Sequence, residues 1–304
     1  MSTPVLMSMN MKGGVGKTVV SVSIGFEIAW KFDKNVLLID YDPQSNASYA
    51  LLGPARYFEL LEKHRSLTAA LMPNLKPDDP FSVIKATKSP DPLAPNYATM
   101  VRGWHYPKEP EKKAGSLSII PASLELMRLA LSRLPDESET LLMNRWNALI
   151  ESAKSKYDCV IIDCHPAGSF FTKSAILASD VVIVPVTTDG YAATGLGMMR
   201  TFINEWEPAG GAKNFVVVFN NPNNSWDTGV ESEIRANPRF GKRCLTAAFH
   251  HSRLFKNIAI KHETVDEQRV ANRYGVSAQV DAVTKELVNL LINEGIVDKS
   301  WLEK

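Results

Sequence analysis

The sequence predicts an α/β fold, in which helices flank a doubly wound, mostly parallel sheet. Two observations lead to this prediction. Short, continuous apolar runs recur along most of the chain, and such runs are typical of strands buried on both faces of a parallel sheet. Segments whose apolar residues follow helical spacing alternate with these runs. We therefore expect one domain, residues 1–304, built from alternating β and α elements.

The elements follow in order from these two patterns. Strands are predicted over residues 5–10, 36–39, 117–121, 159–163, 181–186 and 215–220. Helices are predicted over residues 18–32, 123–134, 137–155, 192–207 and 279–293, with a C-terminal helical tail over about 279–304 that packs on the domain and ends in an exposed segment. Ligands of such sheets bind at the carboxyl ends of the strands, so motifs at these ends predict the site.

One segment interrupts the alternation. Eight of the 18 prolines lie between Met72 and Lys113. Proline at this density opposes both helix interiors and central strands, so we expect an insertion over about 72–114 that contains one short strand. A solvated excursion and a partner-binding surface both fit this insertion, and the aromatic residues Trp104 and Tyr106 favour the second.

Composition excludes several classes of protein. Hydrophobic residues make up 45% of the chain and charged residues 22%, as in a globular domain. Three cysteines without a Cys-x-x-Cys pair exclude a disulfide framework and oppose a structural zinc site. The N-terminus lacks the pattern of a signal peptide, and no run of 18 apolar residues occurs. We therefore expect a cytoplasmic protein that does not bind a membrane.

A glycine-rich loop joins the first strand to the first helix. Residues 10–18 read Asn-Met-Lys-Gly-Gly-Val-Gly-Lys-Thr, the strand–loop–helix context of a phosphate-binding loop. Glycines allow backbone N–H groups to turn toward an anion, and the helix N-terminus favours negative charge. Lys17 is expected to reach the β- and γ-phosphates of ATP and Thr18 to coordinate Mg²⁺. The predicted nucleotide-binding residues are Lys12, Gly13, Gly14, Val15, Gly16, Lys17, Thr18 and Val19.

The loop departs from the generic pattern at two positions. Met11 stands where the usual motif has glycine, and Lys12 is an additional lysine. The loop resembles the deviant Walker A motif of the ParA/MinD family of P-loop ATPases. The resemblance implies a P-loop NTPase fold and an ATP-bound sandwich homodimer, in which Lys12 reaches the nucleotide of the partner subunit. It also implies catalytic roles for Lys12 and Lys17.

Two carboxylates follow the second strand. Asp40 and Asp42 are two residues apart at a strand end, so they should point to the same side. Residues 38–47 resemble the Walker A′ stretch of ParA proteins, which implies that Asp42 positions or activates the attacking water and that Asp40 supports the metal. The alternative is a solvated turn that Asp42 and Pro43 cap.

The apolar strand that ends in Asp163 resembles a Walker B strand, which implies that Asp163 holds a metal-bound water. The family usually continues with one variable residue and two prolines, whereas this chain continues Cys164-His165-Pro166. His165 could therefore sense the γ-phosphate or be a structural substitution. The family commonly uses a side chain after a later strand for adenine, which implies this role for Asn220; an ordinary Asn-Asn-Pro turn is the alternative.

A basic block lies in the C-terminal half. Residues 235–262 contain no Asp or Glu. Because the formal net charge is only +1, this block is a local footprint for polyanions, and the resemblance implies nonspecific DNA as the partner of the ATP-bound dimer. A scattered solvated surface is the alternative. The predicted DNA-binding residues are Arg235, Arg239, Lys242, Arg243, Arg253 and Lys256.

The resemblance implies an ATP-dependent dimerising switch. It would bind DNA, associate with the nucleoid and hydrolyse ATP to segregate or position a plasmid, chromosome or other cargo, stimulated by a ParB-like or other partner protein. Only eleven residues precede Lys12, so we expect no N-terminal helix-turn-helix and no operator-specific repression. The alternatives are a membrane-surface ATPase of the MinD type and an ATP-dependent ligase similar to dethiobiotin synthetase, which would need no Lys12. The nitrogenase iron-protein branch would need paired cluster cysteines.

Overall fold

The structure, a computed structural model, describes residues 3–72, 98–100, 115–127, 136–165, 170–206, 214–221, 226–250 and 276–302. The strands within these ranges are β1 (Val5–Ser8), β2 (Asn35–Tyr41), β3 (Thr99–Met100), β4 (Ser116–Ile120), β5 (Cys159–Cys164), β6 (Val181–Val186) and β7 (Asn214–Phe219). They form one sheet in the order β3-β4-β2-β5-β1-β6-β7. All neighbours pair in parallel except β3, which lies antiparallel to β4 at the edge.

Helices cover both faces of this sheet. They are α1 (Lys17–Lys31), α2 (Asn46–Glu62), α3 (Leu67–Leu71), α4 (Asp136–Lys154), α5 (Phe170–Ala178), α6 (Ala192–Glu205), α7 (Thr228–Ala236) and α8 (Val276–Asn293). Short 3-10 turns occupy Gly241–Arg243 and Lys299–Trp301.

Alternate side chains of the strands enter two separate cores. In β1, Val5 and Met7 belong to the core beneath α3 to α7, whereas Leu6 belongs to the core beneath α1, α2 and α8. This period of two places buried apolar residues on both faces, which is why the strands are continuously apolar. The predicted doubly wound, mostly parallel sheet is confirmed.

The six predicted strands and four of the predicted helices correspond to observed elements. Of the helix predicted over 123–134, residues 126 and 127 are helical, and 128–135 lie outside the described residues. In the predicted insertion, Met72 is buried and β3 is a short strand; residues 73–97 and 101–114, including Trp104 and Tyr106, lie outside the described residues.

Four of the helices in the described ranges were not predicted. The longest is α2, in which Gly53 has φ 70° and ψ 163° and is followed by Pro54. This pair interrupts the helical pattern in the sequence, yet the helix resumes because a proline in a first turn needs no N–H. The other three, α3, α5 and α7, are at most nine residues long. They are too short for a clear helical period.

The C-terminal segment packs against the domain. Lys31 of α1 forms an ion pair with Asp281 of α8 at 2.5 Å. Val297 and Trp301, beyond α8, are buried, and the Lys34 ammonium lies 5.3 Å from the centre of the Trp301 ring. Val297 and Trp301 therefore extend the core beneath α1, whereas residues 298–300 and Leu302 are exposed, as expected for the end of the tail. Among the described residues, no helix combines the length and apolar character that crossing a bilayer requires.

Candidate functional site

The glycine-rich loop begins at the carboxyl end of β1, where the neighbouring strand β6 holds it. The Met9 N–H donates to the carbonyl of Ile183 at 2.9 Å. The buried side chain of Asn10 donates to the carbonyl of Pro185 at 2.7 Å and accepts from the Lys12 N–H at 2.9 Å. These hydrogen bonds attach the start of the loop to the sheet.

Two glycines adopt conformations that other residues avoid. Gly14 has φ 73° and Gly16 has φ 86°. A Cβ atom on Gly16 would lie 2.0 Å from Nδ2 of Asn220. The loop therefore needs glycine at position 16 for its backbone angle and for the close approach of Asn220.

Asn220 supports the loop from the end of β7. Its Nδ2 donates to the carbonyl of Val15 at 2.7 Å, and the residue is 4% exposed. This contact was not predicted, because it joins residues 205 positions apart. An adenine contact by Asn220 stays a prediction, but its amide already has a partner in the loop.

The loop has room for an anion. Added Cβ atoms on Gly13 and Gly14 would meet no atom within 4 Å, and both glycines are exposed. Gly16 is the N-cap of α1, so the N–H groups of the first turn have no capping side chain. Lys17 begins the helix beside them. Open space, unpaired helix N–H groups and a lysine are what a polyphosphate requires.

Asp163 lies at the end of β5, next to the start of α1. Its Oδ2 accepts from the Thr18 hydroxyl at 2.7 Å, and its Oδ1 accepts from the Ser21 hydroxyl at 2.9 Å. Since the Thr18 hydroxyl gives its hydrogen to Asp163, its lone pairs remain available for a cation. Burial raises the pKa of Asp163 to about 6, although the bonds from Thr18 and Ser21 oppose this shift.

The oxygen atoms of Thr18 and Asp163 fit a site for Mg²⁺ better than a site in which protein side chains supply every ligand of the metal ion. Across the described ranges, no three His, Cys, Asp or Glu side chains are grouped as metal ligands. Mg²⁺ commonly takes one or two protein ligands and completes its shell with water and phosphate oxygens. Thr18, supported by Asp163, fits such a site.

Asp40 anchors the turn that follows β2. Its Oδ2 accepts from the backbone N–H of Ser48 at 2.8 Å and from the Ser48 hydroxyl at 2.6 Å, and its Oδ1 accepts from the Asp42 N–H at 3.2 Å. Asp40 is the register partner of Asp163. Burial, and next the charge of Asp163, raise the pKa of Asp40 well above its usual range. Both oxygens of Asp40 thus accept hydrogen bonds that hold the turn. Support of a metal by Asp40 stays a prediction.

Asp42 lies beside His165, a contact that the sequence did not reveal. Oδ1 of Asp42 is 3.0 Å from Nδ1 of His165 and accepts from the Gln44 N–H at 2.9 Å. Asp42 is 7% exposed. The only signal for this pair was the histidine that replaces the first of the two prolines in the resemblance.

Lys12 lies at the surface of the loop. Its ammonium forms an ion pair with Asp189, and it lies 3.4 Å from the Thr187 hydroxyl. The Lys12 and Asp189 side chains are 45% and 37% exposed. Because exposed ion pairs contribute about 0–1 kcal/mol, Lys12 can leave Asp189 at little cost.

Some cations of the basic block form hydrogen bonds within the chain, and others are exposed. The guanidinium of Arg235 donates to Glu231 at 2.7 Å and to the Leu245 carbonyl at 2.9 Å, and Arg243 donates to Glu294 at 2.9 Å. Both arginines therefore have partners within the chain. The remaining predicted DNA-binding residues are Arg239 and Lys242, which are exposed, and Arg253 and Lys256, which lie outside the described residues.

The chain is similar to known proteins over most of its length. The family model AAA_31, described as an AAA domain, matches residues 3–209. The sporulation initiation inhibitor protein Soj of Bacillus subtilis (strain 168) is 31% identical over 190 residues, which are 62% of this chain and 60% of Soj. The virulence plasmid ParA family protein pGP5-D of Chlamydia trachomatis is 26% identical over 298 residues, 94% of each chain. The match thus spans less than two thirds of Soj and nearly all of pGP5-D.

A solved structure shares the fold. The structure of pNOB8 ParA bound to nonspecific DNA matches with a TM-score of 0.65 at 18% identity, over 96% of this chain and 99% of that chain. At this identity the likeness shows the arrangement of sheet and helices alone.

We expect Asn220→Ala to weaken nucleotide binding through the loop and not through the base. Loss of one hydrogen bond to the Val15 carbonyl should cost about 1 kcal/mol, or about fivefold in affinity. Calorimetry should show similar losses for ATP and for tripolyphosphate, which has no base. A loss confined to ATP would instead support an adenine contact and contradict the role in the loop.

Proposed function

The chain belongs to the family of the AAA domain matched over residues 3–209 and, within it, to the ParA/MinD-type P-loop ATPases, and on this premise we propose that it is an ATP-hydrolysing, dimerising switch that binds nonspecific DNA. It would segregate or position a plasmid, chromosome or other cargo. The observation that carries the proposal is the exposed Lys12 on a loop that also presents a phosphate cradle. The alternative of an ATP-dependent ligase would not need this lysine.

Hydrolysis of ATP requires positioning and neutralisation of charge. Lys17 and the N–H groups of the loop would hold the phosphates, and Thr18, with Asp163 behind it, would hold Mg²⁺. The metal ion supplies charge neutralisation when it is bound. Asp42 would orient the water that attacks the γ-phosphate. Among the described residues, Asp42 contacts His165 and Gln44, whereas it is Asp163 that accepts from Thr18, the hydroxyl expected to hold the metal.

A second copy of the chain fits the surface around Lys12. Tyr191 follows Asp189 closely and is 80% exposed, and Met198, seven residues further along α6, is 62% exposed. Residues seven apart lie on one face of a helix, so these apolar side chains line one exposed strip. From the margin of this strip, Lys12 would reach a nucleotide that another subunit holds.

The exposed part of the basic block would bind DNA. Arg239 and Lys242 face solvent and can reach phosphates without losing a carboxylate partner described in the chain. The solved ParA structure with nonspecific DNA supports this class of partner. Association with the nucleoid in the cytoplasm, and stimulation by a ParB-like or other partner protein, follow from the same proposal.

The MinD-type alternative receives less support from the structure. The apolar residues Val283, Leu287 and Leu291 of α8 are fully buried against the domain. They are therefore not available as a membrane-binding face. Sedimentation with liposomes and ATP tests this alternative directly, and ATP-dependent pelleting would favour it over DNA binding.

We expect Lys12→Ala to bind ADP nearly normally, because the exposed ammonium of Lys12 pairs with Asp189 at the surface of the loop and would act on the nucleotide of the partner subunit. ATP-driven dimerisation should be lost, and turnover should fall by about 10²-fold, as when one stabilising charge is removed. Gel filtration with ATP and a phosphate-release assay measure these two effects. Lys156→Ala, at another exposed lysine, is the matched control. An unchanged rate would remove the case for action across the dimer.

We expect Asp42→Ala to bind Mg–ATP nearly normally and to hydrolyse it about 10²–10⁴-fold more slowly, since it loses the group that positions water. Because ATP persists, the variant should accumulate as a dimer in gel filtration and remain on DNA longer than the parent. A variant that stays monomeric with ATP, or that hydrolyses at the parental rate, would contradict the proposed switch.

We expect the double variant Arg239→Ala/Lys242→Ala to bind DNA more weakly. Each lost phosphate contact should lower the slope of log affinity against log salt by about 0.9. Fluorescence anisotropy at several salt concentrations measures this slope. Arg56→Ala/Lys63→Ala, which removes one cation from α2 and one from its C-cap, is the control with the same change in charge. Equal slopes in the two double variants would place the DNA surface elsewhere.

A further inference from the structure

The imidazole of His165 is held firmly against Asp42. The two side chains are 16% and 10% exposed, so little water competes for the contact between Nδ1 and Oδ1 at 3.0 Å. The backbone N–H of His165 donates to the Tyr41 carbonyl at 3.3 Å. The sheet therefore sets the position of the histidine, since Tyr41 and Cys164 are register partners at the ends of β2 and β5.

The chemistry of the two groups determines which of them donates the hydrogen bond. A carboxylate only accepts hydrogen bonds, so Nδ1 of His165 must donate and carry the hydrogen. Oδ1 of Asp42 also accepts from the Gln44 N–H at 2.9 Å. Two donors on one oxygen fix the plane of the carboxylate. Within the described part of the chain, Oδ2 of Asp42 has no hydrogen-bond partner, so this oxygen is available to water.

We propose that His165 is a positioning residue for ATP hydrolysis, which holds Asp42 so that Oδ2 receives the attacking water. This inference rests on the proposed function, because it assigns that role to Asp42. The two-proline pattern that this segment resembles could not make the bond, since a proline side chain has no donor. This chain therefore fixes its water-positioning carboxylate with a side chain that the pattern lacks.

Steady-state ATPase measurements separate positioning from binding. His165→Ala should lower kcat by about 10- to 100-fold, the effect of a misplaced catalytic group, while KM and the affinity for ATP stay nearly unchanged. A loss confined to KM, or a parental kcat, would overturn the proposal.

Two conservative variants test the bond itself. The amide of His165→Asn can place a donor where Nδ1 stands, so this variant should retain most of the parental kcat. The amide of His165→Gln lies nearer the position of Nε2 and should behave like His165→Ala. Thermal unfolding of each variant reports its folding. If His165→Ala does not fold, the Asn and Gln variants carry the test, and equal kcat values for these two would overturn the proposal.

A double-mutant cycle then shows whether His165 acts through Asp42. In the Asp42→Ala background, His165→Ala should cause no further loss of kcat, whereas losses that multiply would overturn the inference. The two proposals also fail differently. An Asp42→Ala variant with the parental rate contradicts the proposed function. A slow Asp42→Ala variant beside a fully active His165→Ala variant contradicts only the role of His165.

Discussion

The site depends on the register of three parallel strands. Asp163 at the end of β5 lies between Ser8 of β1 and Asp40 of β2, so the loop that leaves β1 and the turn that leaves β2 meet at one carboxylate. Parallel pairing brings all three carboxyl ends to the same edge of the sheet. A shift of one residue in either pairing would turn Asp163 to the opposite face and separate it from Thr18.

This register buries two carboxylates, and burial disfavours the charged form of each. Burial raises the pKa of both Asp40 and Asp163; the charge of Asp163 raises the pKa of Asp40 further, and the charge of Asp42 raises that of Asp163. Hydrogen bonds from Ser48, Thr18 and Ser21 offset part of this cost. A bound cation would offset more, since its positive charge favours the ionised carboxylate. The apolar sheet thus prepares an edge whose electrostatics favour a metal ion and the anion that accompanies it.

Features that lie within one short, contiguous segment could be predicted from the sequence. The loop at 10–18, the apolar strands and the carboxylates at their ends were found because each lies in one short segment, and the family that the loop resembles is confirmed. The helix α2 was missed because Gly53 and Pro54 conceal its continuity. The contacts of Asn220 with Val15 and of His165 with Asp42 were missed because they join distant segments. Only the folded sheet brings these residues together.

The site residues differ in exposure, and this difference matches the two roles proposed for them, positioning of water and assembly of the dimer. Asp42 and His165 are nearly buried. The Gln44 N–H donates to Asp42, and the His165 N–H donates to the Tyr41 carbonyl, so under the proposed function the geometry for water would be set inside a single subunit. Lys12 is half exposed, and its ammonium is held by a weak ion pair with Asp189 and by the Thr187 hydroxyl at 3.4 Å, so it can change partners at little cost. The proposed switch would need this division. A catalytic carboxylate that moved would slow each turnover, whereas a lysine that could not move would leave hydrolysis insensitive to the second subunit. Under the proposed function, the same edge of the sheet would supply a rigid element for chemistry and an exposed one for assembly.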